Sequence, residues 1–185
     1  MDNSPALQLI IILILLALSA FFSSSETALT TVSHLKLRSL ADDGNKKAKK
    51  VLKVTENSSK LLSAILVGNN IVNISASALA TTFCTNMFGS KYIGVSTGIL
   101  TLLVLIFGEI SPKTLATQYA LQLSMVVVYP ISWLMTLLTP VIFLLNILTG
   151  AIFKLFRVDP SAKKTSITEA ELRTIVNVSH EEGVI

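Results

Sequence analysis

The chain has 185 residues, of which 51% are hydrophobic and 14% charged, with a net charge of +4. Charge that sparse, against about 25% in an ordinary soluble domain, excludes a soluble globule and marks an integral membrane protein. The single cysteine, Cys84, excludes an internal disulfide and any multi-cysteine metal site, and reads as a small buried apolar residue.

In chain order, residues 5–22 are apolar apart from Gln8 and Ser19. Only Asp2 precedes them as a charge and no small-residue cleavage site follows, so the stretch reads as a retained membrane helix rather than a signal peptide. It is expected to run through Ser23, Ser24, Ser25, Glu26 and Thr27 to about Val32, because Ala28 and Leu29 resume the apolar pattern. Residues 33–60 are polar. They carry Lys36, Arg38, Lys46, Lys47, Lys49, Lys50, Lys53 and Lys60 against Asp42, Asp43 and Glu56. This basic excess beside apolar segments is a topology signal, not a nucleic-acid one, and puts the stretch on the cytoplasmic side. Partial amphipathicity and the Asp43-Gly44-Asn45 turn signal predict two short helices against the inner leaflet.

Residues 61–88 predict a second membrane helix, with Gly68, Asn69, Asn70 and Asn73 in its first half. Asn69 and Asn73, one turn apart, share a face. After the Gly89-Ser90-Lys91 turn, residues 92–107 predict a third helix ending at Gly108-Glu109-Ile110-Ser111-Pro112. Proline removes a donor and disfavours helix before it, and glycine adds freedom, so a break is expected there, with free carbonyls beside a carboxylate. The bland alternative is a helix that simply ends at the membrane surface. Residues 114–125 are mildly amphipathic. Residues 126–156 are apolar again, with Pro130, Pro140, Asn146 and Gly150 inside.

Lys154, Arg157, Lys163 and Lys164 form a second basic cluster, also read as cytoplasmic. Between two cytoplasmic points the chain crosses an even number of times, and helices two and three supply the crossings. About 30 helical residues would span ~45 Å, so residues 126–156 are expected to form a re-entrant or interfacial hairpin, and the N-terminus to be extracytoplasmic. Thr168-Glu169-Ala170-Glu171 fits a capping box for a short soluble helix. A soluble domain is expected beyond Ile185. The fold class is therefore all-α integral membrane: three transmembrane helices, a hairpin and juxtamembrane amphipathic helices. Residues 1–157 form the transmembrane domain, including the belt 33–60, and residues 158–185 a cytosolic linker.

Within the spans only Glu26 and Glu109 are well-embedded ionisable groups. Intramembrane acids usually face a partner, a cavity or an ion. Around them stand Ser19, Ser23, Ser24, Ser25, Asn69, Asn70, Asn73 and Ser111. Both histidines, His34 and His180, lie outside. An all-oxygen set suits magnesium, calcium or sodium rather than softer metals. The competing reading is that serines and asparagines only bridge helices, at about 0.6 kcal/mol each, and that Gly68 and Gly108 only allow close packing. An intramembrane hydrolase built on Ser111, Lys113 or the serine cluster lacks an embedded activating base, so no enzyme is expected. A membrane anchor for a soluble domain and a passive channel remain as alternatives.

Three stretches, Ser-Ala-Phe-Phe-Ser-Ser-Ser-Glu-Thr-Ala-Leu (19–29), Val-Gly-Asn-Asn-Ile-Val-Asn (67–73) and Phe-Gly-Glu-Ile-Ser-Pro-Lys-Thr (107–114), resemble in order the signature motifs of the cyclin M (CNNM/CorC) magnesium transporter transmembrane domain, prokaryotic CorC type. The resemblance implies a homodimer in the lipid bilayer of the plasma membrane and export of magnesium, with sodium exchange as the proposed coupling. It implies metal ligands at Ser19, Ser23, Asn70, Gly108 through its carbonyl, and Glu109. Ser24, Ser25, Glu26, Asn69, Asn73, Ser111 and Pro112 then support or shape the site. ATP would bind only through a cytosolic CBS-pair domain absent from this sequence.

Overall fold

The computed structural model describes residues 4–155, with side chains to residue 153. The domain boundary expected at 157/158, the second basic cluster beyond Lys154 and the capping-box helix lie outside the described residues. Among those described, all regular structure is helical, and four helices are long and apolar enough to cross a bilayer. The protein is an all-α integral membrane protein.

Helix α1 spans Pro5–Thr31. Ser4 caps it by accepting from the Leu7 N–H, and Pro5 sits in its first turn, where its missing N–H costs nothing. Helices α2 (His34–Asp42) and α3 (Lys46–Glu56) are the two short helices of the belt. Gly44, at φ 90°, makes the turn between them, a conformation glycine adopts without strain. Asn45 then caps α3 through Oδ1. Helix α4 spans Ser58–Phe88. It begins earlier than expected because Asn57 Oδ1 accepts from the Lys60 N–H and nucleates the first turn.

A single 3-10 turn at Ser90–Tyr92 leads into α5 (Ile93–Leu103). The expected break does not occur. Residues Val104–Ile110 form a π-helical segment that passes directly into α6 (Ser111–Gln118). The widened turn is closed by the Ser111 N–H donating to the Ile106 carbonyl five residues back. Pro112 falls in the first turn of α6, where proline is tolerated. The proline thus widens the helix instead of ending it.

Helix α7 spans Ala120–Leu137 with Pro130 inside, and α8 spans Thr139–Leu155. The stretch read as a hairpin is therefore two helices joined at Leu138, with Pro140 at the start of the second. The chain divides into two compact units, Met1–Ile142 and Phe143–Ile185. In the first, α1 packs against α4, α6, the π segment and α7, and α3 packs against α7.

The core of this unit gathers the C-terminal half of α1 (Phe22, Leu29), the N-terminal half of α4 (Leu61, Ile65), the belt (Leu37, Val51) and α7 (Val128, Ile131). Gly68 belongs to this packing: a Cβ there would lie 2.8 Å from the Phe22 ring. Helix α5 by contrast buries no residue, and Val95, Ile99 and Leu102 are exposed. An apolar face of that kind suits lipid or a second protein.

Candidate functional site

Ser19 and Ser23 lie one turn apart on the face of α1 that meets the π segment, and are only 2% and 1% exposed. The backbone of Gly108 packs onto Ser19: an added Cβ would lie 3.0 Å from Ser19 Oγ and 3.3 Å from Leu16 Cδ1. A larger residue would push Ser19 or Leu16 aside by a few tenths of an ångström. One residue on, Ser23 Oγ donates to the Glu109 carbonyl at 3.4 Å, which is long for a hydroxyl bond. A turn further, Lys113 Nζ lies 3.2 Å from Glu109 Oε1 and 3.7 Å from Glu26 Oε2. These contacts rise together along both segments, so α1 runs parallel to the π segment and α6.

The π segment has a chemical consequence. In a regular helix the Gly108 carbonyl would accept from residue 112, but Pro112 has no N–H to give. The Gly108 carbonyl and the Glu109 carbonyl, which accepts from Ser23, therefore belong to a turn with fewer donors than carbonyls. Single π turns of this kind recur at functional sites.

The other hydroxyls of α1 are spent within the helix. Ser24 and Ser25 donate back to the Phe21 carbonyl at 3.1 and 2.6 Å, and Thr27 to Ser23 O at 3.2 Å, the usual back-bonding of helical hydroxyls. Ser111 is exposed and Pro112 half-buried. Glu26 reaches the site only through Lys113.

The asparagines separate by face. Asn70 is exposed. Asn69 and Asn73 turn their Oδ1 atoms inward, where both are buried without a hydrogen-bond partner. Asn73 also lines a cavity of about 140 Å³ between α4 and the run from α5 into the π segment, with Ser77, Thr101 and Val104 on its walls. Among the described residues no hydrogen bond joins an asparagine to the Ser19–Glu109 face. Buried, unpaired carbonyl oxygens are costly, about 1–3 kcal/mol, and call for an explanation.

Lys113, named in the sequence only as a candidate for hydrolase chemistry, has a different place here, as the partner of both acids. Its spacing from Glu109, four residues on a helix, was the available signal. The ammonium sits between two carboxylates, and the Lys113 and Glu109 side chains are each 40% exposed, so the pair is open enough to part. No serine hydroxyl bonds to it among the described residues. The arrangement as a whole presents two hydroxyls, backbone carbonyls of a π-helical turn and two carboxylates, with a tethered cation already drawn to the carboxylates.

The family model for the cyclin M transmembrane N-terminal domain matches residues 10–185. A UPF0053 protein of Haemophilus influenzae is 44% identical over 145 residues, which covers 72% of this chain and 34% of that protein. The UPF0053 inner membrane protein YfjD of Escherichia coli is 43% identical over 117 residues, 63% of this chain and 26% of that protein. A UPF0053 protein of Synechocystis is 33% identical over 174 residues, 94% of this chain and 49% of that protein. The chain thus spans half or less of the length of each of these relatives.

Proposed function

The chain belongs to the cyclin M transmembrane-domain family, and on that footing we propose that it carries magnesium across the plasma membrane, in the direction of export. The observation that carries the reading is the meeting of Ser19 and Ser23 with Gly108 and Glu109 on a π-helical turn. Magnesium wants about six oxygens in near-octahedral order at about 2.0–2.1 Å and gives up water reluctantly. Two hydroxyls, the Gly108 carbonyl and the Glu109 carboxylate offer four. Helix α4 contributes an amide, and the inward, unpartnered Oδ1 atoms of Asn69 and Asn73 are better candidates than the motif-expected Asn70, which is exposed.

One carboxylate against a double charge leaves the bound state positive in a low dielectric, so the ion is held loosely enough to leave. Transport follows by alternating access: α1, α4 and the π segment shift so that the site opens to one side at a time. The basic belt is cytoplasmic and the N-terminus external. The reading includes a homodimer, with the uncovered face of α5 available to lipid or to the second copy, and sodium as counter-ion. No covalent chemistry is assigned to the serines.

One observation favours a second reading. The Glu109–Lys113 pair would also suit a structural brace in a membrane anchor. Export measured in cells depleted of other magnesium exporters separates the two. Glu109→Gln abolishes export on the transport reading. Normal export by that variant returns Glu109 to a structural role.

A further inference from the structure

A second cavity, of about 160 Å³, lies away from the Ser19–Glu109 site. One wall carries Lys50 and Lys53 of α3, Asn57 between the helices and Lys60 in the first turn of α4; the other carries Ser132 and Thr136 of α7. None of the three lysines is ion-paired among the described residues, and no carboxylate lines the cavity. Glu56, at the end of α3, is exposed and outside it. Three like charges around one small cavity repel one another, and an anion within it relieves this.

The donors suit a phosphate. Asn57 spends Oδ1 on the Lys60 N–H, which leaves its amide NH₂ to donate. The volume, against ~30 Å³ for a water, admits a phosphate diester.

The aromatic neighbours of the cavity select the source. Trp133, beside Ser132, is 67% exposed, and Tyr129, one turn earlier on the same face of α7, is 50% exposed. Tryptophan and tyrosine on a membrane helix mark headgroup level, and basic clusters on the cytoplasmic side meet the anionic leaflet. From these observations we infer that Lys50, Lys53 and Lys60 hold the phosphate of an anionic phospholipid headgroup in this cavity, tying the belt to α7. Soluble phosphate has the same chemistry but no reason to meet the aromatic pair.

Trp133 is the only tryptophan in the chain, so its fluorescence reports on this place alone. The chain is reconstituted in phosphatidylcholine vesicles carrying a minor fraction of either brominated phosphatidylglycerol or brominated phosphatidylcholine. The anionic quencher is expected to be enriched at Trp133 by about fivefold or more, the effect of a lysine near an anionic surface. The enrichment disappears in Lys50→Gln/Lys53→Gln/Lys60→Gln. It persists in Lys46→Gln/Lys47→Gln/Lys49→Gln, which removes the same charge from the same basic belt, and in the presence of inorganic phosphate. Equal quenching by the two lipids overturns the inference. So does enrichment that survives in the first variant, or is lost in the second, which would mean diffuse surface attraction. Enrichment abolished by inorganic phosphate assigns the cavity to the free anion instead.

Discussion

Lys113 Nζ lies 3.2 Å from Glu109 Oε1, one helical turn away, and 3.7 Å from Glu26 Oε2 on a neighbouring helix. The carboxylate proposed to bind the transported ion is thus already paired to a cation of the protein itself. An arriving divalent ion must displace the ammonium, and Glu26 stands ready to keep it. Replacing Lys113 with Met is therefore expected to tighten magnesium binding by up to about fivefold, since a partly exposed pair contributes about 0.2–1 kcal/mol. Calorimetric titration of the variant checks this; weaker binding than wild type would show that Lys113 supports the site rather than competes for it.

Much of this geometry was legible in the sequence. Ser19 and Ser23, four residues apart, had to share a face of α1, and Pro112 marked the stretch from Gly108 as one where regular backbone hydrogen bonding would be broken or would end. Sequence could not say how. Proline in an isolated segment argues for a break, but here α1 packs along the segment and the Ser111 N–H finds Ile106 O, so a π turn takes the place of the break. The facing of Asn69 and Asn73 followed from periodicity. That their face, and not that of Asn70, turns inward depended on how α4 packs against its neighbouring helices, a tertiary fact. The division at Tyr119 between α6 and α7 had no glycine or proline to announce it.

Gly108→Ala is expected to disrupt the site while the helices remain. The new methyl meets Ser19 Oγ at 3.0 Å and Leu16 Cδ1 at 3.3 Å, and overpacking of this kind costs about 1–3 kcal/mol. Circular dichroism should retain the helical signal with a lowered thermal midpoint, and magnesium binding should weaken. An unchanged midpoint and affinity would mean that α1 and the π segment are not held this close.

The asparagines make a paired prediction. Asn73→Leu removes a buried oxygen that has no partner, so the protein without magnesium should be stabilised by about 1 kcal/mol, read as a raised thermal midpoint, while export falls. Asn70→Leu, on the exposed face, should leave both near wild type. Lost export in Asn70→Leu with normal export in Asn69→Leu and Asn73→Leu would restore Asn70 as the ligand.

The most direct test of a cation site at the π segment is calorimetry of magnesium binding to the purified protein, wild type against Glu109→Ala. Saturable binding by the wild type that is lost in the variant is the predicted result. Equal binding by both, or none by either, would contradict the site and leave Glu109 as the ion-pair partner of Lys113 and nothing more.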